Sequence, residues 1–232
     1  MNLFYQPGIP NGVDTLDKDE SKHCAKVLRK KSGDLIRITD GKGFFYDARI
    51  TRIDEHACFF SVEQKIAEPD RGFQIHIAIA PTKSPDRIEW FVEKAVELGV
   101  DKITLMESAR TERTHIKSAR LEKIAVSAMK QSLKATLPDI SGIQPIGDVI
   151  QAIAEQQRFI AFVNVDNPHH LQALATRGQS YAVLIGPEGD FTQDELRQAV
   201  DHGFREVTLG PSRLRTETAG LAACHILNLI NS

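Results

Sequence analysis

Three segments near the C-terminus combine glycine, proline and charged side chains directly after short apolar runs. They are Asn164–His170, Gly186–Asp190 and Gly210–Thr218, and they follow the runs Phe159–Val163, Tyr181–Ile185 and Glu206–Leu209. Glycine permits unusual backbone angles and lets a ligand approach the main chain closely. Loops of this kind could bind the edge of an adenine ring through backbone N–H and C=O groups. A single such loop is usually only a turn, but two Gly-Pro loops after successive strands favour a binding site.

Several other kinds of site are disfavoured because their sequence motifs are missing. The sequence has no G-x-G-x-x-G segment after a strand, no G-x-x-x-x-G-K-[ST] loop and no G-x-S-x-G elbow. These absences argue against a dinucleotide site, ATP hydrolysis and an α/β-hydrolase. His169 and His170 with Asp166 could suggest a metal site, but no further ligand has a suitable spacing. A loop pair near a helix start is the preferred interpretation, and we predict no metal.

The elements around these loops alternate between strand and helix from Phe73 onward. Phe73–Ala80 is strand-like, Ser84 and Pro85 start a helix that ends at Gly99, and Thr192 begins a capping box. Such alternation predicts a three-layer α/β domain with a mostly parallel sheet, whose ligand loops follow the carboxyl ends of the strands. Arg120–Ala135 is a predicted amphipathic helix with Leu133 facing inward.

The first ~70 residues differ, because short strand patterns dominate there. Strand patterns at Asp34–Asp40, Phe44–Ile53 and Ala57–Val62 predict a meander or small barrel. A helix is predicted at Asp17–Lys31, with His23, Val27 and Leu28 on its inner face. The polar segment Glu68–Gly72 is the predicted domain boundary.

Charge totals alone disfavour a nucleic-acid-binding protein. The chain has 232 residues, with 29 Lys and Arg against 31 Asp and Glu, a formal net charge of -2. The charge is segregated, however: residues 22–52 have nine basic and three acidic side chains, and residues 110–134 have seven and two. Residues 135–232 compensate with six basic and eleven acidic side chains. The two basic segments could bind phosphates, although solvated helix faces would give the same pattern.

Compartment is indicated by what the chain lacks. No apolar run approaches the ~20 residues of a membrane-spanning helix, and the N-terminus does not resemble a secretory signal. The three cysteines, Cys24, Cys58 and Cys224, have no paired spacing. An odd number of scattered cysteines is typical of a reducing compartment, so we expect a cytoplasmic protein that does not bind membranes.

The complete pattern resembles one family. IGPEGDFTQDEL (185–196) and LGPSRLRTETAG (209–220) are similar to the paired signatures of the ribosomal RNA small subunit methyltransferase E family. Further similar segments are HCAKVLRKKSGD (23–34), EKAVELGVDKI (93–103) and AMKQSLKATLPDI (128–140). This sequence departs from the common pattern at Asp190, where a second glycine of Gly-Pro-Glu-Gly-Gly is frequent.

The resemblance implies a fold and an activity. It implies a PUA-like β-barrel RNA-binding domain at 1–70, then a SPOUT methyltransferase domain at 73–232 with a trefoil knot at about 160–232. Knots are exceptional among protein folds. Members are homodimers that use S-adenosylmethionine to methylate N3 of a uridine in small-subunit (16S) ribosomal RNA, free or in the assembled subunit, and release S-adenosylhomocysteine. No metal is required for this transfer.

The resemblance also assigns residues. We predict that Arg215 stabilises charge on the uracil oxygens, because a planar guanidinium suits a pair of acceptors, and that Glu188 acts as a base or holds its loop. Glu217 pairs with Arg215 or caps the last helix in this scheme. The predicted cofactor-binding residues are Val163, Asn164, Ile185, Gly186, Pro187, Glu188, Gly189, Leu209, Gly210, Ser212, Leu214, Arg215, Thr216, Glu217 and Thr218. The predicted RNA-binding residues are Lys26, Arg29, Lys30, Lys31, Arg110, Arg113, Gln131 and Lys134.

Two alternatives remain open at the level of sequence. One is a knotted methyltransferase that modifies another RNA position, such as a ribose or a guanine. The other is a non-catalytic RNA-binding dimer, in which the β-domain binds RNA and the C-terminal domain dimerises. Intact cofactor loops argue against the second alternative.

Overall fold

The computed structural model describes residues 2–54, 56–164 and 169–232. The chain divides into two compact units: Met1–Asp70 with Val126–Leu137, and Arg71–Ala125 with Pro138–Ser232. The predicted division at about residue 70 placed 126–137 in the second domain. In the structure this segment belongs to the first unit, because Gly43 N–H donates to the Ala135 carbonyl at 3.0 Å and Leu137 N–H to the Gly41 carbonyl at 2.9 Å.

The first unit is built on one four-stranded sheet. Its elements are β1 (Leu3–Tyr5), a 3-10 helix (Ile9–Asn11), α1 (Lys18–Lys22), a π-helix (His23–Val27), β2 (Leu35–Thr39), β3 (Phe44–Ile53) and β4 (Cys58–Ala67). The strand order is β1-β2-β3-β4, with β1 parallel to β2 and the other pairs antiparallel. Alternation along β2 and β3 places one face in a hydrophobic core that contains Ile36, Ile38, Tyr46, Ala48 and Ile50. Closure of this sheet into a barrel stays a prediction.

The helical segment of the first unit corrects one sequence expectation. His23 and Val27 were predicted to face inward, but both are exposed, Val27 by 65%, and Cys24 is buried instead. The π-helix at His23–Val27 explains the difference, since i→i+5 bonding breaks the 3.6-residue period on which the prediction depended. The fold also brings Cys24 and Cys58 together as free thiols, with their Sγ atoms 4.0 Å apart.

The second unit alternates strand and helix as predicted. Its strands are β5 (Gln74–Ile79), β6 (Lys102–Glu107), β7 (Asp139–Pro145), β8 (Gln157–Ala161), β9 (Ser180–Ile185) and β10 (Arg205–Val207). Its helices are α2 (Pro85–Leu98), α3 (Ser118–Gln131, of which the residues from Val126 belong to the first unit), α4 (Ile146–Ala152), α5 (Leu171–Leu174), α6 (Gln193–Asp201) and α7 (Thr216–Asn231).

The six strands of the second unit form one sheet in the order β10-β8-β9-β5-β6-β7. Every recorded pairing in it is parallel. The central strands are continuous apolar runs because helices can cover both faces of a parallel sheet. In β9, for example, Tyr181, Val183 and Ile185 are buried along with the residues between them. The predicted α/β class is confirmed, and the trefoil knot stays a prediction.

Local signals set the helix boundaries in most cases. The capping box predicted at Thr192 and Glu195 is present at the start of α6, and Gly99 ends α2 with a φ of 87°. Helix α3 was predicted to reach Ala135 but ends at Gln131. Leu133 adopts a φ of 56° in the following turn and is 54% exposed, so its predicted inward orientation is wrong. No helix in the described part of the chain is long and apolar enough to cross a membrane.

Candidate active site

The predicted cofactor loops meet because their strands are neighbours. Strands β10, β8 and β9 lie side by side, and parallel strands end at the same edge of a sheet. The segments that follow them, 162–164, 186–191 and 208–215, therefore converge. Strands β5 and β6 come next in the sheet, so their following loops, 80–84 and 108–117, extend the same edge.

Two adjoining pockets open among these loops. The larger has a volume of about 500 Å³, and its lining is Ala161, Phe162, Val163, Asn164, His170, Val207, Thr208, Leu209, Gly210, Pro211, Ser212, Arg213, Leu214 and Ala219. The smaller has about 330 Å³, and its lining is Ala161, Val163, Ile185, Gly186, Pro187, Glu188, Asp190, Arg213, Leu214, Arg215, Thr216 and Ala219. Both volumes lie in the range of small-molecule sites, roughly 300–1,000 Å³. Five residues are common to the two linings, so the pockets form one divided cleft.

Most of the predicted cofactor residues line this cleft. Gly189, Glu217 and Thr218 belong to neither lining, whereas the other twelve belong to at least one. Sequence reasoning missed Arg213, Asp190, His170 and several small or apolar side chains. Arg213 and Asp190 stand inside the predicted loops, so inclusion of every charged loop residue could have found them. The apolar ones carry no chemical signal in the sequence.

Two glycines serve the cleft for different reasons. A Cβ on Gly186 would lie 3.2 Å from the ring of Phe191 and 3.3 Å from Asp190 Oδ1, so packing favours glycine there. Gly210 has a φ of 133°, a conformation that L side chains rarely adopt, and its added Cβ would meet nothing within 4 Å. Backbone geometry favours glycine at this second position, and the main chain of Gly210 borders the larger pocket.

Glu188 connects two of the loops. It is exposed, and its Oε1 accepts a hydrogen bond from the Lys83 backbone N–H at 3.1 Å. Its own carbonyl accepts from Arg213 Nη2 at 3.4 Å. The Lys83 side chain pairs with Glu112 at 2.9 Å, and this hydrogen bond raises the pKa of Lys83. The loop-holding role predicted for Glu188 thus has a defined partner.

Arg110 and Arg113 extend from the loop after β6 and bind backbone carbonyls. Arg110 Nη1 donates to the Gly189 carbonyl at 2.6 Å. Arg113 donates from Nε and Nη2 to the Lys83 carbonyl at 3.0 and 2.9 Å. Both guanidinium groups therefore tie loops of the cleft. A carbonyl partner does not neutralise the charge, so each remains a cation at this edge.

Arg215 and Glu217 are neighbours in sequence but not partners. Arg215 is exposed at the N-cap of α7, where its carbonyl accepts from the Ala219 N–H at 2.8 Å. Its guanidinium forms no hydrogen bond or ion pair with residues 2–54, 56–164 and 169–232. Glu217 is buried, its Oε1 lies 3.8 Å from Arg87 Nε, and its Oε2 has no hydrogen-bond partner in the described chain. The predicted Arg215–Glu217 pair is therefore absent there. The Arg215 guanidinium is available to a ligand.

The other predicted RNA-binding residues belong to the first unit. Lys26, Arg29 and Lys31 are exposed, and Arg29 adopts a φ of 54°. Lys30 Nζ donates to the Leu35 carbonyl at 3.2 Å. Gln131 is the exposed last residue of α3, and Lys134 lies in the turn beyond it rather than on the helix.

The histidine pair does not form a metal cluster within the part of the chain that the structure describes. His170 lines the larger pocket, and its Nδ1 accepts a hydrogen bond from the Gln172 N–H at 3.2 Å, which caps α5. The Asp166 considered alongside it lies outside the described residues.

The fold and the cleft define a class: an α/β protein that binds a small ligand where loops leave the carboxyl ends of parallel strands. The sequence model of an RNA methyltransferase domain matches residues 69–228, and that of an RNA methyltransferase PUA domain matches residues 16–63. The chain thus combines a catalytic domain and a PUA domain that are both described for RNA methyltransferases.

Known proteins narrow the class. A ribosomal RNA small subunit methyltransferase E from Mycobacterium bovis is 28% identical over 99% of this chain and 92% of its own length. The crystal structure of a probable rRNA-methyltransferase from Porphyromonas gingivalis is 45% identical, with a TM-score of 0.95 over 100% of this chain and 98% of that one. A ribosomal RNA small subunit methyltransferase E from Neisseria gonorrhoeae, bound to S-adenosyl methionine, is 29% identical, with a TM-score of 0.82 over 97% and 95%. The chain belongs to the RNA methyltransferases, in the ribosomal RNA small subunit methyltransferase E family.

Proposed function

We propose that this protein transfers a methyl group from S-adenosylmethionine to N3 of a uridine in small-subunit ribosomal RNA. The observation that carries the proposal is a divided cleft, built by three loops of a parallel sheet, with an arginine at its edge, Arg215, whose side chain has no polar partner among the described residues. The S-adenosyl methionine bound to the Neisseria relative supports the choice of cofactor. The Mycobacterium and Neisseria relatives are both ribosomal RNA small subunit methyltransferases, which supports small-subunit ribosomal RNA as the substrate.

The residues of the cleft fit the two chemical halves of that cofactor. The larger pocket is lined mainly by apolar side chains and loop backbone, which suits an adenosine group that is bound without charged contacts. The smaller pocket has two carboxylates and two guanidinium groups, from Glu188, Asp190, Arg213 and Arg215. These charges suit the amino-acid portion of the cofactor and the approach of the target base.

Arg215 has the principal catalytic role in this proposal. When bound, S-adenosylmethionine supplies an electrophilic methyl group on a sulfonium. N3 of neutral uracil carries a proton that must leave when the N–CH3 bond forms, and the charge that develops spreads to the two uracil oxygens. The Arg215 guanidinium has five N–H donors in a fixed plane and can donate to such oxygens. Charge stabilisation of this type is often the largest single contribution to catalysis.

Glu188 has the second role. Its Oε1 is already bonded to the Lys83 N–H, so the carboxylate is held in one position. In this proposal its other oxygen, Oε2, accepts the N3 proton, directly or through water. If Glu188 only holds the loop, the proton leaves to solvent. Glu188→Gln distinguishes these roles, because the amide oxygen can still accept from Lys83 but cannot take a proton.

RNA docking and assembly complete the proposal. The exposed basic residues of the first unit, with Arg110 and Arg113 at the cleft, would contact phosphates and position the RNA without reading its sequence. The functional form would be a homodimer, as the family resemblance implies. Sedimentation of the purified protein measures that state directly.

The test is methylation of small subunits isolated from a strain that lacks this gene. Purified protein and labelled S-adenosylmethionine are added, and the ribosomal RNA is digested to nucleosides for mass spectrometry. We expect one new uridine derivative, which coelutes with 3-methyluridine and not with 5-methyluridine or 2′-O-methyluridine. Free ribosomal RNA, assayed in parallel, shows whether assembly is required.

Arg197→Ala is the matched control, since Arg197 is an exposed arginine of α6 outside both pockets. It should methylate like the wild type, whereas Arg215→Ala should not. Methylation at a ribose or at guanine would contradict the proposed uridine N3 position and favour the other methyltransferase alternative. Cofactor binding without any methyl transfer to RNA would favour the non-catalytic alternative.

A further inference from the structure

Asp190 is a non-glycine residue held in a left-handed conformation inside the cleft. Its φ is 61°, and its N–H donates to the Pro187 carbonyl at 2.9 Å, which closes a tight turn. Aspartate adopts this region more often than most residues, but less readily than glycine. The proposed function counts Asp190 among the charges of the smaller pocket but gives it no part in the reaction. The turn alone does not account for an acidic side chain that borders the smaller pocket.

The carboxylate of Asp190 joins two loops. Oδ1 accepts from the next residue, Phe191 N–H, at 2.8 Å, which is a local turn contact. Oδ2 accepts from the Val163 N–H at 3.0 Å, across 27 positions of the chain. Val163 follows β8 and lines both pockets. Asp190 thus fixes the segment that divides the cleft.

Arg110 also holds the turn that carries Asp190. Arg110 Nη1 donates to the Gly189 carbonyl at 2.6 Å and lies 3.4 Å from the Phe191 carbonyl. The turn that carries Asp190 is therefore anchored before and after that residue. Such anchoring fixes the direction of the carboxylate and places one negative charge at the wall of the smaller pocket.

We propose that Asp190 is a positioning residue that holds the Val163 wall and makes the cleft favour the positively charged methyl donor over its neutral-sulfur product. This inference rests on the proposed use of S-adenosylmethionine. The donor has a sulfonium that becomes an uncharged thioether after transfer, while the rest of the molecule is unchanged. A fixed carboxylate at the pocket wall stabilises the cation selectively. The cleft would then release its product readily.

The experiment is isothermal titration of S-adenosylmethionine and S-adenosylhomocysteine into the wild type and Asp190→Asn. Asparagine tolerates the left-handed region and keeps one acceptor oxygen, but it removes the charge. We expect the preference for the donor, expressed as the ratio of the two Kd values, to fall by about threefold to tenfold, the order of one partly screened charge. If the Val163 wall also loosens, the Kd values of both ligands should rise by the same additional factor.

Two further variants separate the causes. Asp194→Asn removes an equivalent charge from an exposed position on α6, outside both pockets, and should leave the ratio unchanged. Asp190→Gly removes the charge and relieves the backbone, so it should shift the ratio like Asp190→Asn even if the asparagine variant is unstable. An unchanged ratio in both Asp190 variants would overturn the inference. A wild type that binds neither ligand would instead overturn the proposed function.

Discussion

The outer face of the first unit's sheet and the rim of the cleft use arginine in opposite ways. On the sheet, Arg37 donates from two nitrogens to both oxygens of Asp47 at 2.6 and 2.8 Å. Arg49 pairs with Glu63 at 2.6 Å in the same manner. These guanidinium groups are neutralised by carboxylates on neighbouring strands. These ion pairs connect neighbouring strands at the surface of the sheet.

At the cleft, arginines meet carbonyls or no protein group. Arg110, Arg113 and Arg213 donate to backbone carbonyls of the surrounding loops, and the Arg215 guanidinium makes no polar contact within the chain segments described. A carbonyl satisfies donors but leaves the positive charge uncompensated. The rim is therefore a place where cations are positioned for an anionic partner. The identity of the partner atoms, rather than the number of basic residues, distinguishes a binding edge from a solvated face.

The largest effect should follow loss of Arg215. We expect Arg215→Ala to lower kcat by about 10²–10³-fold, because a donor to a developing oxyanion is lost, and to change the Kd for S-adenosylmethionine less than twofold. Arg215→Lys should recover only part of the rate, since a lysine cannot donate to two acceptors in one plane. Single-turnover methylation of small subunits measures the rate. A variant with near-normal kcat would remove Arg215 from the catalytic assignment.

Arg113 tests whether an arginine that is bound to a backbone carbonyl at the cleft still acts as a cation toward RNA. Its two bonds hold the Lys83 carbonyl, while Lys83 N–H bonds Glu188. The proposed phosphate contact predicts that in Arg113→Ala the slope of log K against log salt falls by about one, with little change in kcat. A roughly tenfold loss of kcat with an unchanged slope would contradict that contact and show that Arg113 only positions this loop. Filter binding at several salt concentrations and single-turnover rates separate the two outcomes.

The sequence predicted the loops better than their contacts. Glycine, proline and strand patterns leave a local signal, so the three loops of the cleft and the capping box at Thr192 could be found. The pairing of Arg113 with the Lys83 carbonyl spans 30 positions and leaves no such signal. Leu133 and Val27 were misassigned because a turn and a π-helix interrupt a regular period. Which arginines are neutralised depends on strand register, and register becomes visible only in the folded chain.

Basic residues of the first unit should have a smaller effect, confined to RNA affinity. Lys31 is exposed, and Lys31→Ala should weaken RNA binding about twofold to fivefold and lower the salt slope by up to one, as expected for one phosphate contact. Arg37→Ala is the matched control, because Asp47 already neutralises Arg37, and it should change neither quantity. Equal effects of the two variants would mean that a carboxylate partner does not exclude an arginine from the RNA surface. Methyl transfer at saturating RNA should be unchanged in both.

The smallest effect concerns stability of the first unit. The Arg37 hydrogen bond lowers the pKa of Asp47, although partial burial opposes it. A carboxylate with a lowered pKa stabilises the fold above its unfolded pKa of about 4, and this contribution is lost as the pH falls through the folded value. Asp47→Asn should therefore reduce the free energy of unfolding by about 0.2–1 kcal/mol at pH 7, and the difference from wild type should shrink as the pH falls below about 4. Denaturant unfolding at neutral and acid pH measures it. A difference that persists in acid would show that the pair stabilises through packing, and neutralisation would then not explain the contrast with the cleft.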